Sequence, residues 1–145
     1  MIKLLVIVLG FAAIPQYSFN KENVNTFCRE EWTKRGALDQ RMFGHCVKME
    51  TEGYARMLSS IKKFENNSWM KTLFPAIWSK WTKRGITQYR MVGANLEGEC
   101  DEFLNYEYEK KQNNFNKTKM LQCWNEWKDN SENVWSMTMY CYKED

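Results

Sequence analysis

Histidine is nearly missing from this sequence: His45 is the only one. A single imidazole excludes a histidine-built metal centre and leaves at most one histidine base. It stands beside Cys46, and neighbouring side chains on a helix point apart, so a Cys–His nucleophile pair is not expected. No CxxC, HExxH, GxSxG or glycine-rich phosphate loop occurs, which removes the usual redox, metallopeptidase, hydrolase and nucleotide-binding signatures. The expectation is a protein that is not an enzyme and has no cofactor or metal.

Proline is scarce as well, at positions 15 and 75 only. No segment alternates polar and apolar residues over a strand's length. Few breakers and no period-two pattern predict helices joined by short corners. Long apolar runs are limited to residues 4–14, eleven positions where a bilayer span needs about 20. Lys3 precedes that run, and small residues with Pro15 follow it, the layout of a cleaved export signal. Residues 1–19 are therefore assigned to a signal peptide cut somewhere in 12–19, and residues 20–145 to one secreted domain without a membrane anchor.

Charge excess is small, +3 for the whole chain and +2 once Lys3 is removed, which gives no electrostatic case for nucleic acid. The charges are unevenly spread. Glu97, Glu99, Asp101, Glu102, Glu107 and Glu109 form an acidic stretch, and Lys62, Lys63, Lys71, Lys80, Lys83, Arg84 and Arg90 a basic one. The acidic stretch lacks the alternating ligands and central glycine of a calcium loop, so it reads as a solvated helix face.

What is present is helical spacing. Residues 20–35 place Val24, Phe27, Cys28, Glu31 and Trp32 on one face, and Lys34-Arg35-Gly36 close the helix with cations and a left-handed glycine. Residues 37–64 form a long helical stretch. Pro75 fits the first turn of the next helix, which ends at Lys83-Arg84-Gly85. Thr87, Glu97 and Lys117 open later helices, and Ser131 caps the last. The fold expected is all-α, a bundle of about six or seven helices with two disulfides.

The chain also repeats itself. Trp32-Thr33-Lys34-Arg35-Gly36 returns as Trp81-Thr82-Lys83-Arg84-Gly85, and Arg41-Met42 returns as Arg90-Met91 at the same offset. Cys28-x-x-Glu31-Trp32 is echoed by Cys123-x-x-Glu126-Trp127, each with a second cysteine eighteen positions after the first. A reused helix ending accounts for the repeat. The alternative makes Lys34, Arg35, Lys83 and Arg84 a paired cationic surface for an anionic polysaccharide, a phospholipid surface or a host macromolecule. Five cysteines beside an export signal favour disulfides, with one thiol left over.

Seven tryptophans, seven tyrosines and eight phenylalanines are many for this size, since each buries about 150–250 Å². Methionines, Met120 among them, add deformable bulk. Together they suggest a hydrophobic site for a small hydrophobic or amphipathic ligand, with Trp78, Trp81, Tyr89, Trp124, Trp127 and Trp135 as its candidate residues. Two sequons, at Asn66 and Asn116, are possible glycosylation positions.

His45-Cys46-Val47 followed by Gly53-Tyr54 resembles the third-cysteine helix of insect odorant-binding proteins. Residues 95–100 and 120–123 are similar to the segments around that family's fourth and last cysteines, and Met42 stands where its second cysteine falls. Trp78-x-x-Trp81 with Thr87-Gln88 resembles a motif in odorant-binding-like salivary proteins of blood-feeding flies. The resemblance implies an all-helical fold with a central cavity and non-catalytic scavenging of host mediators such as biogenic amines or lipid agonists. It also implies disulfides Cys28–Cys46 and Cys100–Cys123, leaving Cys141 as the free thiol. The internal echo pairs Cys123 with Cys141 instead and frees Cys100; the first pairing is ranked ahead.

Overall fold

The computed structural model describes residues 17–144. Among the described residues there are six helices: α1 (Lys21–Trp32), α2 (Gln40–Phe64), α3 (Met70–Lys80), α4 (Tyr89–Glu109), α5 (Lys117–Trp127) and α6 (Val134–Lys143). They pair as helical hairpins, α1 with α2, α3 with α4 and α5 with α6, and the second helix of each pair packs on the next in the order α2, α4, α6. The all-α expectation with two disulfides holds. The initial apolar stretch lies outside the described residues, and no helix among those described is long and apolar enough to cross a membrane.

Helix starts follow local chemistry in half the cases. Asn20, Asp39 and Asn116 each place a side-chain oxygen on the amide three residues on, at Asn23, Met42 and Lys119, which satisfies an otherwise unpaired N–H. Helices α4 and α6 have no such cap of their own. Glutamates of the preceding unit supply it. Glu50 on α2 accepts the amides of Arg90, at 3.2 Å, and Tyr89. Glu99 on α4 accepts the amides of Trp135 at 3.0 Å and Ser136 at 2.8 Å, and the Ser136 hydroxyl at 2.9 Å. The interval from Glu50 to Glu99 is that from Trp32 to Trp81, and the interval from Tyr89 to Trp135 is that from Trp81 to Trp127. The repeat is thus a threefold array of helical hairpins with one capping device used twice.

The helix ends differ from expectation. Helices α1 and α3 stop at Trp32 and Lys80, before the cations. Each Thr-Lys-Arg-Gly segment is a β-hairpin, β1 (Thr33–Lys34) with β2 (Ala37–Leu38), and β3 (Thr82–Lys83) with β4 (Ile86–Thr87). Arg35 and Gly36 have φ of 52° and 80°, and Arg84 and Gly85 have 53° and 77°. Positive φ at both central residues makes a two-residue type I′ turn, whose twist matches the strands it joins. In the second hairpin the Thr82 and Thr87 hydroxyls meet across the strands at 2.8 Å.

Four further expectations are corrected. Pro75 lies inside α3, which starts at Met70. Glu97 lies within α4 rather than at its start, and the last helix is capped by Glu99 and not by Ser131. The disulfides are Cys28–Cys46 and Cys123–Cys141, with Cys100 free and buried. The Cys100–Cys123 pairing fails because Cys100 is buried at 2% exposure on α4 beside Ser60, while α5 and α6 set Cys123 against Cys141. In the middle unit the corresponding positions are Ile77, fully buried, and Asn95, which accepts the Trp81 indole N–H at 3.2 Å. Outer units of an array have a neighbour on one side only and need extra closure. Here the cross-links sit there.

Helices α2 and α4 touch backbone to backbone at two glycines. A Cβ on Gly93 would lie 2.2 Å from the Gly53 carbonyl oxygen, and one on Gly53 would lie 2.4 Å from Arg90 Cα. Residues 17–19, assigned from sequence to the leader, belong to the packed domain. Tyr17 stacks near Phe74 and Trp78, and Phe19 near Tyr54 and Tyr89.

Candidate functional site: an aromatic cleft

Aromatic residues gather in two places. The first, around Tyr17, Phe19, Tyr54, Phe74, Trp78 and Tyr89, is the core beneath α1. Trp78 and Tyr89 are 6% and 2% exposed. The Tyr89 hydroxyl receives the Asn20 amide at 2.8 Å and donates to the Ser18 carbonyl at 3.0 Å. These two proposed ligand residues pin the N-terminal segment instead.

The second gathering lines a cleft of about 460 Å³, within the ordinary size range of small-molecule sites. Four segments build it. The α2–α3 turn brings Asn67, Ser68 and Trp69; α4 brings Phe103, Tyr106, Glu107 and Lys110; Phe115 and α5 add Lys117, Met120, Leu121 and Trp124; α6 supplies Trp135 and Thr138. The α4 residues recur at three- and four-residue spacing, so one face of that helix floors the cleft. Trp124 stacks on Trp135 with centroids 4.7 Å apart and planes at 28°. Phe103 and Trp135 meet edge to face at 5.0 Å, and Tyr106 lies 4.9 Å from Trp135. Offset and edge contacts of this kind hold the rings in fixed orientations.

Polar groups in the cleft are few and placed. Lys110 Nζ donates to Glu107 Oε1 at 3.2 Å and sits 4.9 Å from the Tyr106 ring centre. The Glu107 hydrogen bond holds the Lys110 ammonium above its usual range. Lys117 is exposed beside it. The indole N–H groups of Trp69 and Trp135 are both buried without a hydrogen-bond partner. Buried donors rarely go unmatched, and both belong to residues lining this cleft. The combination suits a flat or flexible apolar body with an acceptor or charged end.

Of the six residues proposed from sequence, the structure brings Trp124 and Trp135 to the cleft. Trp81 and Trp127 are half-buried at the corresponding ends of α3 and α5. The residues missed are Trp69, Phe103, Tyr106 and Phe115. The spacing of Phe103, Tyr106 and Lys110 on one helical face was the available signal. Elsewhere, Asn66 and Asn116 are exposed, as glycan acceptors must be, although the Asn116 side chain already caps α5. Cys46 is consumed in a disulfide. A smaller recess of about 230 Å³ holds His45 with Glu31, Glu50 and Arg90. Among the described residues no cluster of His, Cys, Asp and Glu could hold a metal.

The acidic stretch is not uniformly solvated. Glu99 is 2% exposed as the α6 cap, and burial pushes its carboxyl above the usual carboxylate range against the three bonds it accepts. Set against protein-family models, curated proteins and solved structures, the chain matches none of them.

Proposed function

We propose that this chain is a secreted, non-catalytic binding protein that sequesters a small amphipathic ligand in the aromatic cleft. The single observation that carries the reading is the meeting of Trp69, Phe103, Tyr106, Trp124 and Trp135 around about 460 Å³ of open volume. Ligand sites are clefts of about this volume with mostly apolar and aromatic walls and a few placed polar groups, which is what these residues build. Lys110 and Lys117 outnumber Glu107 there, which favours carboxylate-bearing lipid mediators over biogenic amines. Two disulfides fit an oxidising, extracellular setting. An odorant-binding-like salivary origin is in keeping with the role but is not needed for it.

The experiment is calorimetric titration of the mature protein with arachidonic and oleic acid, serotonin and histamine. Binding of a fatty acid, weakened by Tyr106→Ala and by Lys110→Ala but unchanged by Trp127→Ala, supports the proposal. Flat heats for the whole panel, or equal loss with Trp127→Ala, reject it.

A further inference from the structure

Arg35 and Arg84 occupy the first central position of two type I′ turns at φ of 52° and 53°. That position favours Asn, Asp or Gly, because any other side chain strains against its own backbone there. The chain accepts this strain twice, in the same tetrapeptide, where Asn would build the same turn without it. Neither guanidinium has a hydrogen bond or an ion pair among the described residues, and both are exposed. Lys83 beside Arg84 is likewise unpaired, and Lys34 only overhangs the Trp32 ring at 5.9 Å. The side chains are therefore kept for something the fold does not use.

Placement narrows the partner. The first turn follows the C-terminus of α1. The second is tied to its N-terminal end, where the Asn23 side-chain amide donates to the Gly85 carbonyl at 3.2 Å. Nine helical residues separate those points, about 14 Å along the axis at 1.5 Å each. A ligand that touches both ends of α1 is therefore an extended one. The exposed large apolar residues, Leu104, Tyr108, Leu121 and Tyr140, all lie on α4 to α6 and none beside either turn. Trp32 and Trp81 beside the turns are half-buried rather than exposed, so a bilayer surface, which takes exposed apolar anchors, is the poorer fit.

We propose that the Lys34-Arg35 and Lys83-Arg84 turns are two contact points for one extended sulfated polysaccharide, independent of the aromatic cleft. Guanidinium groups pair with sulfate oxygens in a two-pronged geometry that an ammonium does not match.

The test is the double variant Arg35→Asn/Arg84→Asn, since Asn relieves the turn strain while removing the charge. Affinity for a long heparin oligosaccharide should fall by about tenfold or more, and the slope of log affinity against log salt should drop by about two, one for each lost charge. The melting temperature should hold or rise. A heparin disaccharide should bind the parent protein far more weakly than the long chain. Unchanged heparin affinity in the double variant overturns the proposal, as does no binding by the parent at low salt. Equal affinity for the disaccharide overturns the two-point geometry, and preference for phosphatidylserine vesicles over heparin overturns the choice of partner. The Tyr106→Ala variant should bind heparin as the parent does, which separates this site from the cleft.

Discussion

Glu99 and Ser136 are joined twice: one carboxylate oxygen takes the serine amide at 2.8 Å and the other its hydroxyl at 2.9 Å. With the Trp135 amide at 3.0 Å, one side chain satisfies the start of a helix that has no cap of its own. Glu99→Ala leaves those donors unpaired in a buried place and should destabilise the fold by roughly 3 kcal/mol. Glu99→Gln keeps an acceptor and should cost less. Urea unfolding followed by circular dichroism measures both; a loss under about 0.5 kcal/mol for the alanine variant removes the cap argument.

The same burial has a pH consequence. Glu50 and Glu99 both titrate above the ordinary glutamate value of 4.5, with desolvation as the main cause and Glu31 and Glu102 adding like-charge repulsion. A raised value in the folded state means the protonated carboxyl is favoured there. Its stabilising contribution is complete below pH 4.5 and is lost as pH rises through the folded values. The parent should therefore gain stability over Glu50→Gln/Glu99→Gln on moving from neutral pH toward 4.5. A difference that stays flat across that window contradicts the expectation.

Gly44 and Gly93 occupy equivalent places in successive units and should respond oppositely to alanine. Gly93 faces the Gly53 carbonyl with no room for a methyl, while nothing lies within 4 Å of a Cβ on Gly44. Gly93→Ala should cost roughly 3 kcal/mol by forcing α2 and α4 apart. Gly44→Ala, exposed within a helix, should gain about 0.5–1 kcal/mol. Thermal melts of the two variants compare them directly.

Cys100 should be chemically silent. Burial pushes its thiol up to about 12, and the thiolate is the reactive form. Iodoacetamide should leave the native protein unlabelled and modify one cysteine after denaturation without reductant. Peptide mapping should place that label on Cys100. A label on Cys141 would show the other pairing.

The mature chain should begin at or before Tyr17. Tyr17 is 8% exposed against Phe74 and Trp78, and the Ser18 carbonyl accepts the Tyr89 hydroxyl. A cut after Phe19 would strip these contacts from the core. N-terminal sequencing of the protein after expression in a secreting host decides it, and a start at Asn20 would mean the core closes without them.

Much of the fold was legible because helical periodicity is a local signal. Residues such as Val24, Cys28, Met57 and Ile61 are buried where their spacing puts them. The helix ends were misread for a specific reason. A type I′ turn normally announces itself as Asn-Gly, and Arg-Gly hides it behind the look of a basic helix terminus. Glu99 was invisible for the opposite reason, since an acid within an acidic run is ordinarily solvated and only the approach of α6 buries it. The cleft was hardest. Trp69, Tyr106, Trp124 and Trp135 come from four separate segments, and no linear pattern records their meeting. The cysteines show that the internal repeat was the better guide: the eighteen-residue interval paired Cys123 with Cys141, where the family resemblance paired Cys100.

The borrowed caps also give the molecule a polarity. Unit one closes its own second helix through Asp39, lends Glu50 to unit two, and unit two lends Glu99 to unit three. The borrowed carboxylates always come from the earlier unit, while Tyr89 of unit two accepts the Asn20 amide and closes the start of unit one in return. A chain emerging amino end first would find each donor already in position when the next recipient arrives, so maturation can proceed vectorially, like a zip drawn from one end. A fragment holding unit one alone should keep its Asp39 cap but leave Tyr17 and Phe19 without Phe74, Trp78 and Tyr89, whereas those cut from the rear should also wait for a lender.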